Sequence, residues 1–190
     1  MKIRRILSNS LIDYPNKIAS VIFLGGCNFD CNFCFVPELL KDEGDDISKE
    51  TVLKFLENRK AFIDAVVITG GEPTINADLP EFIYRIKSLG FDVRLYTNGS
   101  NPKMLRELIS EKMIDSIAVD IKGKLDGDDY ERIAKNDCAT LVKESIYLIS
   151  QSDIEKEFRV VMIPGRTEDD IKEIEKYTGP VRRMKYLKGV

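Results

Sequence analysis

The run Ile18-Ala19-Ser20-Val21-Ile22-Phe23-Leu24 passes through Gly25-Gly26 into Cys27-Asn28-Phe29-Asp30-Cys31-Asn32-Phe33-Cys34. Seven residues that are mostly apolar, rich in β-branched types and closed by a glycine pair read as a strand buried on both faces. The same form returns downstream. Ala65 to Thr69 ends in Gly70-Gly71, Phe91 to Thr97 in Asn98-Gly99, Ile114 to Ile121 in Lys122-Gly123, and Phe158 to Ile163 in Pro164-Gly165. Helical spacing fills the intervals: Val52, Leu53, Phe55 and Leu56; Phe82, Ile83, Ile86 and Leu89; Leu105, Leu108 and Ile109; Leu141, Val142, Ile146 and Ile149; Ile171, Ile174 and Tyr177. Asp78 with Glu81, and Thr167 with Asp170, have the spacing of helix-opening caps.

Strands alternating with helices predict βαβ crossovers and a parallel sheet. The chain holds five such units and a short sixth strand near Met184 to Leu187. A closed eight-unit barrel takes about 250 residues, and this chain has 190. The expected fold class is therefore α/β, a partial (β/α)6-type parallel barrel or an open sheet, in one domain over residues 1–190, with the closing strand short. The C-terminal strand ends of such a sheet share one edge, so distant segments meet there.

Composition narrows the chemistry. Lys and Arg number 29 against 32 Asp and Glu, a net charge of −3. That balance gives no general reason to bind nucleic acid or an anionic membrane. No apolar run reaches spanning length, and Met1 to Leu11 lacks the core of a signal peptide. The chain has no histidine, which excludes Ser-His-Asp triads, Cys-His dyads and His-ligated metals. Cysteines concentrated in one loop suit a reducing cytoplasm better than a disulfide framework.

Three of the four cysteines follow Cys27-x3-Cys31-x2-Cys34, and Cys138 stands apart as a buried free thiol. Buried small hydrophobes, a zinc site completed by Cys138 or a carboxylate, and a Cys31–Cys34 dithiol pair are the competing readings. An iron–sulfur cluster fits the triplet better, because thiolates are its usual ligands and three of them leave one iron open.

The triplet at the end of a first buried strand, with Gly70-Gly71-Glu72-Pro73 ending the second, resembles the radical S-adenosylmethionine superfamily. Thr97-Asn98-Gly99, Asp120-Ile121-Lys122, Arg159 to Gly165 and the lead-in Ser10-Leu11-Ile12-Asp13-Tyr14-Pro15 extend the likeness to the activating enzymes of glycyl radical proteins. Within that group it is nearest to the activators of anaerobic ribonucleotide reductase. The resemblance implies a [4Fe-4S] cluster on Cys27, Cys31 and Cys34, with S-adenosyl-L-methionine on its open iron. Reductive cleavage then gives a 5′-deoxyadenosyl radical. It further implies cofactor contacts from Phe33, Gly70, Gly71, Glu72, Pro73, Asn98, Asp120, Lys122 and Arg159, a glycyl radical enzyme as partner, and flavodoxin or ferredoxin as electron donor. The polar stretch Lys124 to Asp137 is the expected partner contact. Two positions depart from the group: Phe35 stands where histidine is frequent, and Tyr96 where an aspartate often begins the Thr97-Asn98-Gly99 element. The alternative reading is an enzyme of the same superfamily acting on a small molecule, in the manner of 7-carboxy-7-deazaguanine synthase.

Overall fold

The computed structural model describes residues 1–40 and 45–186. The first buried run forms β2 (Ala19–Leu24), preceded by β1 (Ile3–Ser10). Then follow α1 (Lys49–Glu57), β3 (Ala65–Gly70), α2 (Leu79–Ser88), β4 (Asp92–Thr97), α3 (Pro102–Ser110) and β5 (Ser116–Ile121). The chain continues with α4 (Asp129–Ala134), α5 (Ala139–Ser150), β6 (Glu155–Met162), α6 (Glu168–Thr178) and β7 (Arg182–Lys185). Leu187, expected in the last strand, lies outside the described residues.

The seven strands form one sheet in the order β1-β2-β3-β4-β5-β6-β7. Spatial order equals chain order, so every parallel crossover steps to the next strand in one direction. That winding curls a sheet toward a barrel, whereas a doubly wound sheet reverses direction midway. Pairings from β2 to β7 are all parallel. The outer strand β1 runs antiparallel to β2, and β7 does not pair with β1, so the barrel is partial, as expected. The sequence reading did not predict β1. Its residues Ile3-Arg4-Arg5-Ile6-Leu7-Ser8-Asn9-Ser10 bury little beyond Ile3 and Ser10, so hydrophobicity gave no sign of it.

Strand side chains alternate between the sheet faces. Ile22, Leu24, Val66, Ile68, Val93, Leu95, Ile117, Val119 and Val160 face the helices and form the main core. The opposite, concave face is smaller and more polar. Ala19, Val21, Ala65 and Val67 pack there against Tyr14. Beside them Arg94, 1% exposed, donates to Ser116 Oγ (2.7 Å) and to Glu157 Oε2 (2.6 Å). The Thr167/Asp170 capping box forms as read. Asp78 does sit at the N-cap of α2, but its side chain makes no capping bond. Its carboxylate lies 2.8 Å from Lys49 Nζ instead, because an ammonium outcompetes a peptide N–H for it. Among the described residues no helix is long and apolar enough to cross a membrane.

Candidate active site

The loop after β2, the turns after β3, β4 and β5, and strand β6 meet around one cavity of about 280 Å³. Cys27, Cys31 and Cys34 line it, together with Phe33, Gly70, Gly71, Asn98, Asp120, Lys122 and Arg159. Of the residues anticipated from sequence, Glu72 and Pro73 do not line the cavity; both are buried behind it. The Glu72 carboxylate accepts from Thr74 N (3.0 Å), Thr74 Oγ1 (2.6 Å), Thr97 Oγ1 (2.7 Å) and Asn98 N (2.6 Å). Burial pushes its pKa up against these four donors. Glu72 thus ties the end of β3 to the end of β4, and Gly70-Gly71 is what that tie presents to the cavity.

The glycine pair docks directly on the cysteine loop's root. Gly71 N donates to Leu24 O and Glu72 N to Gly26 O, both at 2.8 Å. The loop is also held from β4. Asn98 Nδ2 donates to Asn28 Oδ1 (3.0 Å), Asn28 Nδ2 to Ser100 Oγ (2.8 Å), and Ser100 N to Asn98 Oδ1 (2.9 Å). Asn98 therefore spends its side chain on positioning the loop.

Among the described residues no three His, Cys, Asp or Glu side chains converge as a site for a single metal ion. The three thiols stand around the cavity wall instead, and three soft sulfur donors around an open space suit a multinuclear iron–sulfur group. Burial raises the Cys27 thiol to about 11 and raises Cys31 as well. Binding of iron there must displace protons. Cys138 is 4% exposed, raised by burial to about 12, and does not line this cavity.

The far wall is charged. Arg159 Nε donates to Asp120 Oδ1 (2.8 Å), and Lys122 Nζ lies 3.4 Å from Asp120 Oδ2. Burial works to raise the Asp120 pKa, but Arg159 and Lys122 outweigh it and hold the carboxylate below its ordinary range. A depressed carboxylate contributes stability above its ordinary pKa and loses it as the pH falls through the folded value. Asp120→Asn leaves the Arg159 guanidinium, whose side chain is 8% exposed, without its counterion. The expected loss at neutral pH is about 3 kcal/mol, the low end for a broken buried pair because Asp120 is itself 31% exposed. Urea unfolding measured between pH 3 and 7 should show that loss near neutrality shrinking on the acid side.

Tyr96, Asp13 and Phe23 also line the cavity and were not anticipated as site residues. Tyr96 Oη donates to the Asp13 carbonyl (2.6 Å), and the Arg159 guanidinium stacks 3.8 Å from the Tyr96 ring centroid. A cation–aromatic contact thus occupies the position where the resembled group often carries an aspartate and this sequence has Tyr96. The available signal was alternation: Phe23, Tyr96, Asp120 and Arg159 all fall on the concave face of their strands. Phe33, 7% exposed, packs with Ile133 and Val161, and Lys122 Nζ lies 5.9 Å from its ring.

The family model of the radical SAM superfamily matches residues 21–178. A Methanocaldococcus jannaschii protein described as a "putative glycyl-radical enzyme activating enzyme" is 34% identical over 178 residues, covering 90% of this chain and 72% of that one. A Saccharolobus solfataricus protein described as a "probable GTP 3′,8-cyclase" is 32% identical over 136 residues, 70% of this chain and 43% of that one. Among solved structures, native anSMEcpe with bound AdoMet superposes with a TM-score of 0.66 at 18% identity, over 86% of this chain and 50% of that one.

Proposed function

Since the chain belongs to the radical SAM superfamily, whose cofactors are a [4Fe-4S] cluster and S-adenosyl-L-methionine, we propose that it installs a glycyl radical on a partner enzyme. The partner we propose is anaerobic ribonucleotide reductase, with flavodoxin or ferredoxin as electron donor, in a reducing cytoplasm. The observation that carries this reading is one cavity walled by three thiols and a bare Gly-Gly edge, in a chain 34% identical over most of its length to a protein described as a glycyl-radical activator.

In this reading Cys27, Cys31 and Cys34 hold the cluster. With S-adenosyl-L-methionine bound beside it, a cluster held there would supply, on one-electron reduction and release of methionine, a carbon radical able to take a hydrogen atom from a glycine. The protein's part is to orient and to exclude. Gly70 and Gly71 line the cavity, and because they lack Cβ atoms that would strike the Leu24 and Gly26 backbone, they hold the end of β3 against the root of the cysteine loop. Lys122, which lines the cavity beside Asp120, suits a carboxylate, and Asp120 suits ribose hydroxyls or an ammonium. Phe33 offers an aromatic face for adenine. Phe23, Val21, Val161 and Met184 line the same space with apolar surface, which limits water around a reactive carbon centre.

The alternative, an enzyme acting on a small molecule, draws on the cyclase-named relative. Anaerobic reconstitution with iron and sulfide, then dithionite and S-adenosyl-L-methionine, is expected to yield 5′-deoxyadenosine. With anaerobic ribonucleotide reductase present, electron paramagnetic resonance should show a glycyl radical on that partner. Consumption of a small molecule with no protein radical would overturn the activator reading in favour of the alternative. Failure to take up iron and sulfide would overturn both.

A further inference from the structure

The polar stretch Lys124 to Asp137, expected to face a partner, packs its buried side on the cysteine loop and leaves Asp126, Asp128, Glu131 and Arg132 exposed. Its centre is α4. Asp30 N donates to Ala134 O (3.0 Å), and Asn136 Nδ2 donates to Asn28 O (2.9 Å). The Phe29 ring meets the Tyr130 ring edge-on at 6.2 Å and 80°. Tyr130 is 1% exposed, and its phenol oxygen accepts from the backbone N–H of Lys122 (3.3 Å). The Lys122 carbonyl accepts in turn from Arg166 Nη2. One aromatic side chain therefore touches both the loop that carries the three thiols and the backbone of the ammonium-bearing residue across the cavity. The approach is built in at Gly123, where a Cβ would lie 2.9 Å from the Asp129 Cβ.

We propose that Tyr130 is a positioning residue: its ring braces the cysteine loop through Phe29 while its phenol oxygen fixes Lys122, so that thiols and ammonium face the cavity at a set spacing. This rests on the cluster reading above. The two halves of the contact separate by substitution. Tyr130→Phe keeps the ring against Phe29 and strips the Lys122 N–H of its acceptor, whereas Tyr130→Ala removes both.

After anaerobic reconstitution, Tyr130→Phe is expected to carry as much iron per chain as the wild type. The change that S-adenosyl-L-methionine makes in its cluster's paramagnetic resonance spectrum should need roughly tenfold more cofactor, the effect of one orphaned buried donor. Tyr130→Ala should load less iron, and in the metal-free chain its Asp30 amide should exchange hydrogen faster than in the wild type or in Tyr130→Phe. Should Tyr130→Ala not fold, Phe29→Leu, which removes the ring that Tyr130 meets, tests the same brace by faster exchange at residues 28–31 of the metal-free chain. The proposal is overturned if Tyr130→Phe titrates like the wild type, or if the loop amides keep wild-type exchange rates in the bracing variant that folds. A wild-type chain that takes up no iron and sulfide would instead sink the cluster reading, and the metal-free exchange measurement would still decide on the brace.

Discussion

Cys31→Ala, reconstituted under the same anaerobic conditions as the wild type, is expected to form 5′-deoxyadenosine at below about 1% of the wild-type rate, a barrier rise of ~3 kcal/mol or more. Cys31 lines the cavity with the other two loop cysteines, and its thiol, raised by burial, feels the Lys122 ammonium. On the proposed assignment three thiolates would hold three irons and leave one corner open; two would leave two, and no other cysteine lines the cavity, since Cys138 stands outside it. The comparison variant is Cys138→Ala. That thiol is buried in the main core, so its loss costs packing, about 1 kcal/mol, and leaves iron, sulfide and turnover in place. Iron and acid-labile sulfide per chain, read beside product formation, separate a ligand from a core residue. Full turnover in Cys31→Ala would refute the assignment of the triplet.

The contrast between those two cysteines also marks what a sequence exposes. The thiol triplet was legible because three residues of a rare type sit at fixed spacing after a strand, and the strands because two-sided burial leaves continuous apolar runs such as Ala65 to Thr69. The convergence of Cys27, Gly70, Asn98, Asp120 and Arg159 on one cavity followed from parallel topology alone, which brings strand ends to one edge. Other features had no such signal. Strand β1 is an outer strand with few buried residues. Helix α4 is short and polar, and its burial of Tyr130 and Ile133 depends on a loop that follows a different strand. Glu72 reads as part of a cavity-facing motif, yet its carboxylate turns inward, because four donors at the ends of β3 and β4 need an acceptor. In each case the deciding partner lies far away in sequence: Glu72 meets Asn98, Phe29 meets Tyr130, and Arg159 meets Tyr96.

The Gly71 position shows how closely the fold and the candidate site depend on each other. A Cβ added at Gly71 would lie 1.8 Å from the Gly26 carbonyl oxygen and 2.5 Å from its carbon, with the Cys27 Cβ at 3.2 Å. The first two are backbone atoms, so no side-chain rotation can relieve the overlap. Either the Gly71-to-Leu24 and Glu72-to-Gly26 hydrogen bonds break or the root of the cysteine loop moves outward. Gly71→Ala is therefore expected to cost about 3 kcal/mol or more of unfolding free energy, measured by urea denaturation of the metal-free chain. Gly90→Ala supplies the contrast. A Cβ there meets nothing within 4 Å, and only its positive φ of 92° resists substitution, a cost of about 1 kcal/mol. Displacement at Gly71 falls on Gly26 and Cys27, so whatever fraction of Gly71→Ala folds should also bind iron less completely than Gly90→Ala. Equal denaturation midpoints for the two variants would mean that the strand end and the loop do not press against each other. The 2.8 Å bonds would then be bystanders, and the cysteine loop would take its shape from its contacts with Asn98, Ser100 and the α4 segment.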